Sequence, residues 1–318
     1  MHHFVALGAI ALSALALAAD DSAARVDPAV SADAAAPSST GSNASDLRFM
    51  SMYGLDPASQ HTYVNMNLEG DEQVKLDAWT KYNMTSFYGG LEGVFIRGVG
   101  LVSNWTDVLD GIINTSIAPN FGPGKAYRGV FLGDEICCRN VGCWADALQP
   151  VAARLHAALG PDATIYTNEC RTHLSGIKVV PKDIDLISVD VYNGYLVGSN
   201  GTSEVASARK VYEGRLFPKL QPHQRAMVVP GVFACSNLSY YPLAAQSVQM
   251  VAKLDGYFEW AKAQPRIAGF TPWHFLNRTA PQYAPPCDMS LGAVAMPNVV
   301  AKLAEIGQFI INGQQRVN

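Results

Sequence analysis

This 318-residue sequence has no long apolar run: the most apolar, residues 4–19, is shorter than the roughly 20 residues a spanning helix needs, so no stable membrane span is expected. Charge is also scarce. The 23 Lys and Arg against 27 Asp and Glu leave a net charge of −4 with no basic stripe, so nucleic acid is not an expected partner. A Gly-x-Ser-x-Gly elbow, a His-Glu-x-x-His helix and a Walker loop are all missing, which removes the commonest signatures of serine hydrolases, zinc proteases and nucleotide enzymes. The nearest approach to a dinucleotide turn, Gly98-Val99-Gly100, is followed by Ser103 where glycine would be required. No histidine stands at ligand spacing beside a cysteine, so the expectation is no metal and no cofactor. No repeat of solenoid period occurs.

The N-terminus reads as a signal peptide over 1–18. An uncharged Ala- and Leu-rich run ends in the small-x-small triplet Ala16-Leu17-Ala18, and cleavage is expected after Ala18. The weak positive region, His2-His3, leaves an uncleaved signal anchor as the alternative. Residues 19–46 are rich in Ala, Ser, Asp and Pro, and predict a disordered lead-in. The expected compartment is extracellular, or a lysosomal or vacuolar lumen.

Two further features agree with that compartment. Asn-x-Ser/Thr sequons occur at Asn43, Asn83, Asn104, Asn114, Asn200, Asn237 and Asn277, predicting a glycan-shielded surface. The six cysteines, Cys137, Cys138, Cys143, Cys170, Cys235 and Cys287, form an even set and read as three disulfides among fifteen pairings.

From 47 to 318 the chain is long enough for one large domain with a full core. Short β-branched and aromatic runs alternate there with helical patterns. Strands are predicted at 48–53, 62–67, within 86–97, and at 128–135, 164–169, 185–192, 226–233 and 267–275. Helices are predicted at 71–82, 105–117, 145–159, 204–216, 243–263 and 297–311. Eight strands in this length point to an α/β fold, a (β/α)8 barrel of the TIM type in a single domain. Between the first two strands only residues 54–61 remain, too few for a crossover helix of about 10–12 residues. A doubly wound open sheet is the structural alternative.

In a barrel, chemistry belongs to the carboxyl ends of the strands. Here those ends are polar: Gly133-Asp134-Glu135, Asn168-Glu169, Asp190-Val191-Tyr192-Asn193 and Trp273-His274. Carboxylates converging with aromatic rings are what cleavage of a glycosidic bond requires, one to protonate the leaving oxygen and one to stabilise a cation-like sugar. Glu135, Asp134, Glu169 and Asp190 are therefore the catalytic candidates. Tyr192, Asn193, Asn168, Trp273 and His274 are the substrate-binding candidates. The competing explanation is that such residues cap helices and satisfy loop amides. The cysteines all follow strands four, five, seven and eight, so the predicted staples fall on this same face.

The segment Phe131-Leu132-Gly133-Asp134-Glu135-Ile136, with cysteines and Trp144 beyond it, resembles the Gly-Gly-Asp-Glu-Val segment of the β-N-acetylhexosaminidases of glycoside hydrolase family twenty. Val191-Tyr192-Asn193 and Gly269-Phe270-Thr271-Pro272-Trp273 are similar to segments of family-eighteen chitinases. The resemblance implies a barrel in which the substrate's own 2-acetamido group is the nucleophile. It makes Glu135 the general acid/base and Asp134 the group that orients the acetamide, with Tyr192 assisting and Trp273 under the sugar ring. The first glycine of the hexosaminidase segment is Leu132 here, and the chitinase acidic spacing is absent. A conventional pair, Glu135 with Glu169 or Asp190, stays open, and the carboxylate separation discriminates retention from inversion. The expected substrate is an oligosaccharide, polysaccharide or glycoconjugate. A catalytically silent, lectin-like barrel and a secreted glycoprotein without a pocket are the rival expectations.

Overall fold

In a computed structural model of the protein, the described residues are 47–68, 71–91, 93–97, 99–138, 140, 142–191, 201–236, 242–279 and 289–315. The expected signal peptide and lead-in lie outside them, as do Asn43, Tyr192, Asn193, Asn200, Asn237 and Cys287.

Side chains alternate across a strand, and here both faces of each strand carry apolar residues, so each must be covered. Seven strands form the main sheet: β1 (Phe49–Met50), β2 (Ser86–Tyr88), β3 (Tyr127–Asp134), β4 (Thr164–Cys170), β5 (Leu186–Asp190), β6 (Arg225–Val228) and β7 (Ile267–Phe270). All pair in parallel in the order β1-β7-β6-β5-β4-β3-β2. The gap between β1 and β2 is filled by residues 65–67. Asn65 N and Met66 N donate to Met50 O at 3.0 and 3.2 Å, and Asn67 bridges Ser86 in parallel. Eight staves therefore close a (β/α)8 barrel.

Two buried clusters record the two faces. One holds Tyr53, Met66, Leu68, Phe87, Phe131, Tyr166, Leu186, Met227 and Ala268, and fills the lumen. The other includes Met50, Val130, Leu132, Ile165, Ile187, Val189, Ala226 and Val228, and packs under the helices. These are α1 (Glu72–Tyr82), α2 (Trp105–Ile112), α3 (Gln149–Leu159), α4 (Gly201–Val211), α5 (Leu243–Ala263) and α6 (Pro297–Gln315). Among the described residues no helix is long and apolar enough to cross a membrane.

Several boundaries differ from expectation. The connection too short for a crossover helix holds a single turn, Pro57–Gln60, capped by Asp56. The predicted strand 62–67 is reduced to the bridge at Asn67. The stretch 86–97 splits into β2 and a small antiparallel hairpin, Phe95–Ile96 with Gly100–Leu101. The predicted strands 226–233 and 267–275 stop at Val228 and Phe270, ahead of Pro230 and Pro272, which have no amide hydrogen to give a ladder. The helices predicted at 105–117, 145–159 and 204–216 each contain a π turn, at Ile113–Ile117, Trp144–Leu148 and Tyr212–Leu216.

Between α4 and α5 lies a buried ion pair. Lys253 Nζ stands 3.3 Å from Glu204 Oε2, with both side chains 1% exposed, and also donates to Gly231 O in the loop after β6.

Candidate active site

A bulge in β3 builds the mouth of the barrel. Phe131 pairs with Tyr166 and Asp134 with Asn168, so three residues of β3 oppose two of β4. Strict alternation from the lumen-facing Phe131 would send Asp134 outward, and the extra residue turns it back in. Gly133 sits at φ +147°, a conformation that favours glycine, and a Cβ there would come 2.9 Å from Ile136.

Asp134 is gripped where it emerges. Asn168 Nδ2 donates to its Oδ1 at 2.6 Å, and Tyr53 Oη reaches the same oxygen at 3.4 Å. The Asn168 amide also donates to Asp190 Oδ1 at 3.1 Å. Three of the predicted residues, Asp134, Asn168 and Asp190, thus meet on neighbouring strands.

Glu135 follows at φ +53°. Its side chain is 32% exposed and accepts from Arg97 Nη2 at 2.7 Å, an arginine from the small hairpin's turn. Burial, and then the neighbouring charge of Asp134, raise the Glu135 carboxyl above its ordinary range, against the opposing pull of Arg97.

Glu169 goes elsewhere. It shares the outer face of β4 with Ile165 and Thr167, is 1% exposed, and accepts from Cys137 N at 3.0 Å and Thr167 Oγ1 at 3.2 Å. The structure therefore puts it beneath the cysteine loop and off the cavity wall. Burial pushes its carboxyl up to about 8. Between the ordinary value of 4.5 and about 8 the folded chain keeps a proton that the unfolded chain has released, so stability falls as pH rises through that window. Thermal scans are expected to show Tm declining from pH 5 to 8, with the decline flattened in Glu169→Gln. Equal slopes in the two proteins would contradict this.

The loop above Glu169 is doubly stapled by Cys137–Cys143 and Cys138–Cys170. Cys235, in a short strand pairing with Met289–Leu291, is disulfide-bonded as well. Among the described residues no group of three or more His, Cys, Asp or Glu is placed to hold a metal ion.

Asp134 lines a cavity of about 600 Å³ together with Tyr53, Lys75, Tyr88, Trp273 and Arg278, and with Asp71 and Glu72 at the start of α1. Tyr53 packs edge-on to Trp273 with centroids 4.9 Å apart, and the Arg278 guanidinium lies 4.7 Å over the indole. Trp273 therefore presents an aromatic wall beside a carboxylate, the pairing that sugar rings stack on. Its neighbour His274 does not line the cavity: Nδ1 contacts Leu276 O at 2.6 Å and Nε2 contacts Ser290 Oγ at 3.0 Å. Burial lowers that imidazole to about 4, which suits a neutral brace between loops. Tyr53, Tyr88, Lys75 and Arg278 are absent from the residues selected by sequence. Only Tyr53 carried a usable signal, as the last residue of a predicted strand. A second groove of about 710 Å³, lined by Trp144, Ile177, Val179 and Pro181, offers no carboxylate. The sequon residues Asn83, Asn104, Asn114 and Asn277 are exposed.

The fold and site together define a (β/α)8 barrel with a carboxylate and aromatic mouth at the carboxyl ends of its strands. Comparison with solved structures gives the same fold. A thermostable mutant of a xylanase from Cellvibrio japonicus is 11% identical, over 84% of this chain and 100% of that one, with a TM-score of 0.55. A glycoside hydrolase family two β-galacturonidase from Eisenbergiella tayi is 11% identical, over 77% of this chain, with a TM-score of 0.51. This chain spans 45% of the galacturonidase's length. At such identity the likeness shows the barrel alone. No family model and no curated protein matches the chain.

Proposed function

We propose that the protein is a secreted glycoside hydrolase that cleaves O-glycosidic bonds by carboxylate acid/base catalysis. The observation that carries this reading is the juxtaposition at the end of β3. Asp134 is fixed on the wall of a cavity that also holds Trp273 and Tyr53, and Glu135 beside it is a carboxyl whose affinity for protons is raised. Glu135 is the proton donor to the leaving oxygen, and Asp134 is the charge that faces the reacting sugar. That both fold relatives named above are glycosidases supports the class of chemistry. The Asp-Glu order matches the substrate-assisted arrangement, in which Asp134 orients a 2-acetamido group, so N-acetylhexosamine-containing glycans are the proposed substrates. The Ala- and Leu-rich N-terminal segment, the stapled loops and the exposed sequons support export, with the reaction outside the cytosol.

The test is a panel of chromogenic glycosides, with and without the 2-acetamido group, incubated with the full chain across acidic and neutral pH. Hydrolysis confined to the acetamido sugars is the expected result. Hydrolysis of sugars lacking the group keeps the enzyme and removes the assisted mechanism. Glycan binding without turnover of any member makes the protein a lectin-like barrel.

A further inference from the structure

We infer that Asn168 is a positioning residue, not a sugar contact: its carboxamide, oriented by Ser188 and Tyr166, holds Asp134 and Asp190 together as one carboxylate pair. The inference rests on the proposed catalysis for its consequence and on geometry for its existence. Asp134, Asn168 and Ser188 are successive partners across β3, β4 and β5, and Tyr166 and Asp190 stand two residues along from Asn168 and Ser188. A two-residue step returns a side chain to the same face, so all five project into the lumen.

The hydrogen bonds run in one direction. Tyr166 Oη and Ser188 Oγ are 2.6 Å apart. Ser188 Oγ donates to Asn168 Oδ1 at 2.5 Å, which fixes the carbonyl end of the amide. The two Nδ2 hydrogens then go one to each carboxylate. The opposite orientation would set the Asn168 carbonyl against both anions, so the amide has one satisfactory placement. Two carboxylates sharing one nitrogen lie within about 6 Å of each other, a separation at which like charges repel in a half-buried site. The bridging amide offsets that repulsion. Asn168 itself is 1% exposed, and both of its amide hydrogens are committed to the two carboxylates, so it has no donor left to offer a ligand.

The decisive experiment is nitrogen-15 NMR on the full chain, with the Asn168 side-chain amide identified by its disappearance in Asn168→Ser. Asp134→Asn and Asp190→Asn are each expected to shift that signal, and Ser188→Ala or Tyr166→Phe to broaden it as the amide gains a second orientation. A signal indifferent to both aspartates overturns the inference whether or not any glycoside is hydrolysed. Failure of the glycoside panel alone, with the shifts present, overturns the enzymatic reading and leaves the carboxylate clamp standing. On a hydrolysed glycoside, Ser188→Ala and Tyr166→Phe are expected to lower kcat roughly tenfold, the scale of one hydrogen bond, with KM unchanged. A rise in KM at constant kcat would make Asn168 a binding residue and overturn the assignment.

Discussion

Glu135→Gln is expected to lower kcat by about 10²–10⁴-fold, the range a positioned general acid supplies, while glycan affinity stays within about twofold of the parent. The substitution is isosteric, and the glutamine carbonyl oxygen still accepts from Arg97, whose guanidinium donates to Glu135 Oε2 in the native site. What disappears is the transferable proton. The raised proton affinity of Glu135 has two sources, burial and the charge of Asp134, and neither serves a purpose in a residue that only caps a loop. The size of the loss also depends on the leaving group. A nitrophenolate departs with little help, so aryl glycosides are expected to lose least and natural oligosaccharides most. Measuring kcat on both, with affinity from calorimetry on an oligosaccharide, separates chemistry from binding. Undiminished oligosaccharide hydrolysis would sink Glu135 as the acid, and equal losses in kcat and affinity would point to damage of the pocket.

Lys253→Met is expected to destabilise the fold by roughly 3–5 kcal/mol, because it leaves the Glu204 carboxylate without its cation in a site where neither partner reaches water. Burial lowers the Lys253 ammonium, and the opposing pull of Glu204 offsets only part of that cost. The same lysine donates to Gly231 O, so the loop after β6 loses an anchor as well. Thermal or denaturant unfolding measures the cost. Glu204→Gln combined with Lys253→Met is expected to recover most of it, since no uncompensated charge then stays buried. A single substitution within about 1 kcal/mol of the parent would show that the pair is better hydrated than its geometry implies.

These two residues differ in how far the sequence exposes them. Glu135 is visible because it ends an apolar run in a chain whose strands and helices alternate, and the barrel rule then assigns it to the mouth. Lys253 and Glu204 look like ordinary polar members of two helices, and nothing local marks them as partners across 49 positions. Glu169 shows the limit from the other side. Its run, 164–169, mixes apolar and polar residues on both faces, so alternation establishes that Asn168 and Glu169 point oppositely without saying which enters the lumen.

The sequence by itself determined the alternation of strands and helices, hence the α/β class, and the polar ends of its strands, because hydrophobic period and turn chemistry are local properties. It also marked the connection after the first strand as too short for a crossover helix, and the structure holds a single turn there. Tertiary structure alone decided which polar residues share the site. The bulge before Asp134 reverses its direction, the wall supplied by Tyr53, Lys75 and Arg278 comes from segments far apart in the chain, and the amide of Asn168 ties two carboxylates from different strands. Each of these depends on register between strands, and register is set by how all eight staves close on one another rather than by any one of them.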